Sequence, residues 1–152
     1  MRRDPSTLPG RPCSLAAALE VVGDRWALLA VREVAYGNHQ FSQIARNTGA
    51  PRDRLAARLK DLVAAGVLTK GPGRLDGYHL TDAGRDLGTT MRALLTWGDR
   101  WAVTTPPVRL THHDHELAAK TVCATCGEDV HAADVGREVL VPGWTQAGPG
   151  NG

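Results

Sequence analysis

Short apolar stripes at helical spacing, each closed within a few turns by glycine or proline, constrain this chain more than any other feature. Leu15, Ala18, Leu19 and Val22 recur at i, i+3, i+4 and i+7, and Gly23 ends the run. Asp24 is a good N-cap for a second helix through Trp26, Leu29, Ala30 and Val34 to Gly37. A third, short helix follows Phe41, with Ser42 as its expected cap, and ends at Thr48-Gly49. Pro51 fits the first turn of a fourth, whose stripe is Leu55, Leu59, Leu62 and Val63, with Gly66 as the breaker. Val67 to Lys70 and Tyr78 to Thr81 then read as two strands around a Gly71-Pro72-Gly73 and Asp76-Gly77 turn. Thr81 caps a last long helix with Leu87, Met91, Leu94, Leu95, Trp101 and Ala102 on one stripe. Pro106-Pro107 lies just beyond the end of that helix.

Helices three and four, joined through Gly49, fit a helix-turn-helix, and the hairpin between helices four and five reads as a wing. The fold class expected is mainly α with a small β-hairpin wing, a winged helix-turn-helix, plus a small C-terminal β extension like a zinc ribbon. Residues 1–12 read as a flexible basic arm and 13–103 as the DNA-binding and dimerisation domain. Residues 104–141 read as a CxxC-containing extension and 142–152 as a disordered tail.

The chain has 152 residues and a formal charge of +2. No run approaches the roughly 18 apolar residues of a membrane span, and the N-terminus lacks the apolar core of a secretory signal. Three cysteines make no disulfide framework, so a cytoplasmic setting is expected. The charge is unevenly placed. Residues 1–60 hold ten Lys/Arg against five Asp/Glu, residues 61–103 five of each, and residues 104–152 three against six. A basic front half suits a polyanion partner.

At about 100° per residue, Leu55, Leu59, Leu62 and Val63 share one face of the fourth helix, and Arg54 and Arg58 line the edge of the opposite face. Arg52 stands in the first turn. The N-terminal part of the second helix of a helix-turn-helix reaches base edges, and arginine's planar fork can meet guanine O6 and N7 together. Asp53 can accept from a cytosine amino group or orient an arginine. Ser42, Gln43 and Asn47 are expected as neutral phosphate contacts and Arg74 as the wing contact. Arg2, Arg3 and Arg11 can add a loose electrostatic grip. The partner so read is double-stranded DNA, with a pseudo-palindromic operator.

These residues also carry a family resemblance. Cys13 through Trp26 (CSLAAALEVVGDRW) resembles the opening signature of the HxlR-type bacterial transcription regulators, a Cys, a helix and then Gly-x-(Lys/Arg)-Trp. Arg32-Glu33, Gly37, Phe41, Thr48-Gly49, Leu55, Arg58-Leu59, Gly66-Val67-Leu68 and Tyr78 through Gly84 follow in the family's order. The resemblance covers about residues 13–103 and implies a homodimeric DNA-binding regulator, related in architecture to the MarR group. Family wings are longer and richer in basic and proline residues. Here the wing is short and includes Asp76, which favours a single phosphate contact by Arg74.

Leu15, Leu19, Leu94, Leu95, Trp97 and Trp101 offer more apolar surface than one small unit needs, so they are expected at a two-fold homodimer interface. Cys13 matches the N-terminal Cys that some family members use to sense oxidants or electrophiles, and a thiol near a helix N-terminus is more reactive. A small molecule or an electrophile is thus the expected effector, releasing a repressor. In the tail, Cys123-Ala-Thr-Cys126-Gly127 has the spacing of a zinc knuckle. His113 and His115 are the expected further ligands, with His112 and His131 also in range. Val108–Thr111 and Lys120–Val122 are expected to pair as the hairpin of half a zinc ribbon. No P-loop, GxSxG, HExxH or GxGxxG pattern points to an enzyme. The alternative is a protein-interaction module with a degenerate winged helix and the CxxC tail as its docking surface.

Overall fold

The computed structural model describes residues 4–73 and 76–150. Among the described residues five α-helices and four short strands follow one another: α1 (Ser14–Val22), α2 (Arg25–Ala35), α3 (Phe41–Thr48), α4 (Arg52–Ala64), β1 (Leu68–Lys70), β2 (Tyr78–Leu80), α5 (Asp82–Trp101), β3 (Thr111–His112) and β4 (His115–Glu116). The order and the antiparallel β1–β2 pair are those of a winged helix-turn-helix.

Local chemistry sets most boundaries. The Asp24 carboxylate accepts from Trp26 N–H at 2.8 Å at the head of α2. The Thr81 hydroxyl accepts from Gly84 N–H at 3.2 Å at the head of α5. Gly49 closes α3 with φ 68°, a left-handed conformation that glycine adopts without cost. Ser42 is not the cap of α3. Phe41 is already helical, and Gln40 caps through a reciprocal box in which Gln43 Oε1 accepts from Gln40 N–H at 3.0 Å.

The core forms around α2. Ala27, Ala30, Val31 and Val34 are buried against Ile44 of α3, Leu55, Leu59 and Leu62 of α4, and Val67 and Leu68 at the first strand. Leu87 and Met91 cover this core from α5. Helix α1 divides its expected stripe. Val22 enters the core, whereas Leu15 and Leu19 stay 65% and 53% exposed.

Among the described residues, one charged side chain lies inside this core. Glu33 is only 4% exposed. Its Oε1 accepts from Arg32 Nε and Nη2 at 3.0 and 2.7 Å. Its Oε2 accepts from Asn38 Nδ2 at 2.8 Å and from Asn47 Nδ2 at 2.9 Å. Burial pushes this carboxyl up, but the bonds from Asn47, Arg32 and Asn38 and the Arg32 charge outweigh it and hold the group below the usual glutamate range. Asn47, although exposed, gives its amide to Glu33 and so ties α3 to α2.

The wing pairs Leu68 with Leu80, Thr69 with His79 and Lys70 with Tyr78. It is stitched to the α2–α3 turn, where Tyr78 N–H donates to His39 O at 2.9 Å and His39 Nδ1 lies 2.7 Å from Tyr78 O. The His39 and His79 rings stack at 4.6 Å. Gly77 has φ 69°, and a Cβ there would collide with the His39 carbonyl.

The tail folds differently from expectation. Thr111–His112 pairs with His115–Glu116 across a tight turn, with His113 at φ 54°. Lys120–Val122 pairs instead with the strand after the CxxC: Val122 bridges Asp129, and Cys123 N–H donates to Glu128 O at 2.9 Å. Two local hairpins thus replace one longer one, since each closes a shorter loop. Residues 142–150, expected to be disordered, form a turn in which Trp144 bridges Pro149. It docks on Arg11, whose Nη1 and Nη2 donate to Thr145 O and Gln146 O at 2.9 and 2.8 Å.

Two outcomes follow. Gly77→Ala combines a left-handed backbone with a backbone collision, so it should destabilise by about 1–3 kcal/mol in urea unfolding; an unchanged midpoint would show the wing is not held by His39. Because the Glu33 carboxyl is depressed in the folded state, its contribution is present above the unfolded value, about 4.3, and is lost as pH falls through the folded value. Glu33→Gln should lower stability at pH 7 by about 1–3 kcal/mol and flatten the loss on acidification. Parallel stability-against-pH curves for the two proteins would count against it.

Candidate nucleic-acid interface

Helix α4 carries the candidate interface because its two sides are so unlike. Leu55, Leu59 and Leu62 are fully buried, and this fixes the helix on α2. Arg52 and Arg54 are left exposed, and Arg58 half-exposed. Pro51, with φ −54°, is the residue from which the helix starts.

The three arginines differ in their engagement. The Arg52 guanidinium lies 4.8 Å over the Phe41 ring, a cation–π contact that spans the helix-turn-helix. Arg58 pairs with Asp61 one turn on, Nη2 to Oδ2 at 2.9 Å. Arg54 has no hydrogen bond or ion pair among the described residues. An exposed pair such as Arg58–Asp61 is worth about 0–1 kcal/mol, so a phosphate can displace it at small cost.

Of the helix α3 residues expected to touch phosphate, only Ser42 is exposed without a side-chain commitment among the described residues. Gln43 caps Gln40, and Asn47 binds Glu33. Arg74 lies outside the described residues, as do Arg2 and Arg3. Arg11 is held by the C-terminal turn and by the Trp144 ring at 5.9 Å, so it is not the loose arm cation expected.

A shallow groove between α4 and the wing adds residues that sequence reasoning had not placed there. Ala56, Leu59, Lys60, Val63, Lys70 and Tyr78 line it, and Lys70 Nζ stands 5.7 Å from the Tyr78 ring. It brings together Lys60 of α4 and Lys70 of β1. Lys70 and Tyr78 face each other across the wing hairpin, and the packing of that hairpin beside α4, which no local pattern marks, makes the groove.

The residues expected at a dimer contact are mostly open to solvent in the single chain. Trp97 and Trp101 are 60% and 66% exposed, Leu94 is exposed, and Leu95 is half-buried. Arg100 lies 4.7 Å over the Trp101 ring.

Cys13 is the N-cap residue of α1 and half-buried. The backbone N–H groups of Ala16 and Leu15 hold its thiol below the usual range; burial opposes them, and the Arg11 charge assists. The four expected zinc ligands are not gathered. Among the described residues, no three His, Cys, Asp or Glu side chains form a group that could hold a metal ion. His112 packs its ring on His113 at 4.1 Å and faces His115 at 5.7 Å, within their own hairpin. Cys123 and Cys126 lie in a separate turn. No helix among the described residues is long and apolar enough to cross a membrane.

Comparisons with known proteins agree with this geometry. A family profile described as HxlR-like helix-turn-helix matches residues 21–106. Rv3095 of Mycobacterium tuberculosis (strain H37Rv), named an uncharacterized HTH-type transcriptional regulator, is 40% identical over 130 residues, 80% of this chain and 82% of that protein. The crystal structure of PA1607, named as a candidate transcription factor, superposes with a TM-score of 0.75 at 32% identity, covering 83% of this chain and 94% of that one. Quinone-bound YodB from B. subtilis superposes with a TM-score of 0.51 at 25% identity, covering 58% of this chain and 97% of that one. With its winged helix and matching profile, the chain belongs to the HxlR-like helix-turn-helix family of DNA-binding transcriptional regulators.

Proposed function

We propose that the protein is a cytoplasmic, homodimeric repressor that reads a pseudo-palindromic operator with helix α4. The observation that carries this reading is Arg54, a guanidinium with no partner among the described residues, on the outward side of a helix whose other side is fully buried. Arg54 reads a base edge in the major groove, while Arg52 and Arg58 leave Phe41 and Asp61 to bind DNA beside it. Ser42, Lys60, Lys70 and Arg74 hold the backbone, and Gln43 and Asn47 hold helix α3 in place. The dimer buries Leu15, Leu19, Leu94, Leu95, Trp97 and Trp101, supported by the exposure of five of these six. Residues 13–103 form the working unit, and two copies place their recognition helices about 34 Å apart, one turn of DNA.

A second observation favours redox release of the repressor. Cys13 has an activated thiol, and YodB, a structural relative, has been crystallised with quinone bound. A Cys13 thiolate adds to a quinone ring, and the ring takes up the proton to become a hydroquinone thioether. The adduct at the head of α1 then disturbs the packing between subunits.

Gel shifts with the regulator's own upstream DNA test the first reading. Affinity should fall steeply with salt, because phosphate contacts release counterions. Arg54→Ala should cost about 1–3 kcal/mol of specific binding and relax sequence preference. Salt-insensitive or absent duplex binding would point to a protein-docking module instead. For the second reading, benzoquinone should add mass to the Cys13 peptide and release DNA from wild type but not from Cys13→Ser. Equal release from both would sink the Cys13 switch.

A further inference from the structure

We propose that the C-terminal turn, residues 141–150, is a lid on the head of α1 that docks on Arg11 and narrows the approach to Cys13. As part of a switch the lid rests on the Cys13 reading above; as a cover on a thiol it stands by itself. The turn is closed by its own bonds. Thr145 N–H donates to Gly148 O and Gly150 N–H to Gly143 O, each at 2.7 Å, and Thr145 Oγ1 donates to Gly148 O at 3.0 Å. Gly143 at φ 76° and Gly148 at φ 153° supply the backbone conformations this closure needs. The adjacent carbonyls of Thr145 and Gln146 take no part in these bonds.

Those two carbonyls receive one guanidinium. Arg11 Nη1 donates to Thr145 O at 2.9 Å and Nη2 to Gln146 O at 2.8 Å, and the same group lies 5.9 Å from the Trp144 ring centre. Two bonds from a planar fork fix orientation as well as distance. Gln146 Nε2 donates in turn to Arg137 O at 2.7 Å, which ties the turn to the segment before it. The partners lie 134 and 135 positions apart in the chain, so local chain stiffness does not impose the contact.

Cys13 follows Arg11 by two residues, a reach of about 7 Å at full extension. It is the N-cap residue of α1. Arg11, Ser14 and Leu15 are exposed, yet Pro12 and Cys13 between them are half-buried. A turn docked on Arg11 limits the directions from which a reagent reaches the sulfur, and undocking restores them. The docking bonds lie at the surface, so they break in a local opening that leaves the core of the domain folded. A small electrophile enters during a brief opening, whereas a bulky one needs the turn displaced.

The test is the rate of Cys13 alkylation in the reduced full chain, read by mass spectrometry of its peptide. Iodoacetamide is compared with a fluorescein-bearing iodoacetamide; in both reactions the thiolate displaces iodide. Two variants release the turn in different ways. Thr145→Pro removes the N–H that closes the turn and leaves Arg11 in place. Arg11→Lys keeps a charge beside the thiol but loses the fork that spans two carbonyls. Rates are compared on the alkaline plateau of each pH profile, where Cys13 is fully ionised and access alone is read. Both variants should react roughly three- to tenfold faster than wild type, with the larger gain for the bulky reagent. Cys123 and Cys126 in the same digests should keep their wild-type rates, because the Val122–Asp129 bridge closes their turn separately. Wild-type rates at Cys13 in both variants would overturn the lid. So would an equal rise at all three cysteines, which marks general loosening of the tail. Gel shifts on the alkylated proteins read the switch separately: faster alkylation in the variants without DNA release would keep the lid and reject the Cys13 switch.

Discussion

The Glu33 carboxylate is the interaction on which the helix-turn-helix depends. A charge buried in an apolar core costs several kcal/mol unless it is well paired and fully hydrogen-bonded. Here each donor comes from a segment whose position matters. Arg32 lies on α2, Asn38 in the turn after it, and Asn47 at the end of α3. Satisfying one carboxylate therefore fixes the angle between α2 and α3 and the course of the turn. His39, next to Asn38, then pairs with Tyr78 and sets the wing. A polar group at this point specifies one arrangement, where an apolar residue would tolerate sliding of α3 along α2.

Helix α4 is the second dependent element, and it works by contrast between its faces. Three leucines with no exposure remove any freedom to roll. The arginines on the other side are held loosely, one on an aromatic ring and one by a surface ion pair. Such contacts are weak and can be released at little cost. A rigid helix bearing lightly parked cations combines low ordering cost with a strong field. Lys60 and Lys70 extend that field toward the wing.

What was legible in the sequence were the features decided within a few residues. The Asp24 and Thr81 caps, the Gly49 turn, the α4 leucine stripe and the wing strands depend on local periodicity and local hydrogen bonds. Glu33 and Asn47 were opaque because a charged and an amide residue in a helical pattern read as solvent-facing. The burial of Glu33 depends on the donors that Arg32, Asn38 and Asn47 supply, the last from 14 residues away. Ser42 looked like the better cap, but Phe41 packs against the core as the first helical residue and moves the cap to Gln40. In the tail, segments 108–111 and 120–122 were expected to pair with each other, but the strands form at Thr111–His112 and His115–Glu116, and Val122 bridges Asp129. The turn chemistry at His113 and Gly127 closes each arm on its nearer neighbour. For α1 the stripe at Leu15 and Leu19 was visible, yet a hydrophobic period says only that a face wants cover, not which surface covers it.

The tail also changes the meaning of the small net charge. Its acidic composition would be repelled by a duplex, and its C-terminal turn is anchored at the opposite end of the domain's chain. Arg11 gives both terminal nitrogens to carbonyls of Thr145 and Gln146, so one cation of the basic front half is spent inside the protein. That contact lies two residues from Cys13 and brings the chain's C-terminal turn to the head of α1. Arg11 also helps hold the Cys13 thiol low. The same guanidinium thus faces two demands, a neutral pair of carbonyls and a thiolate. Whatever displaces the turn frees Arg11 to move closer to the sulfur or away from it. The basic front and acidic tail are consequently not two independent halves that happen to cancel. They meet at one arginine, two residues from Cys13, whose thiol is held below its usual range.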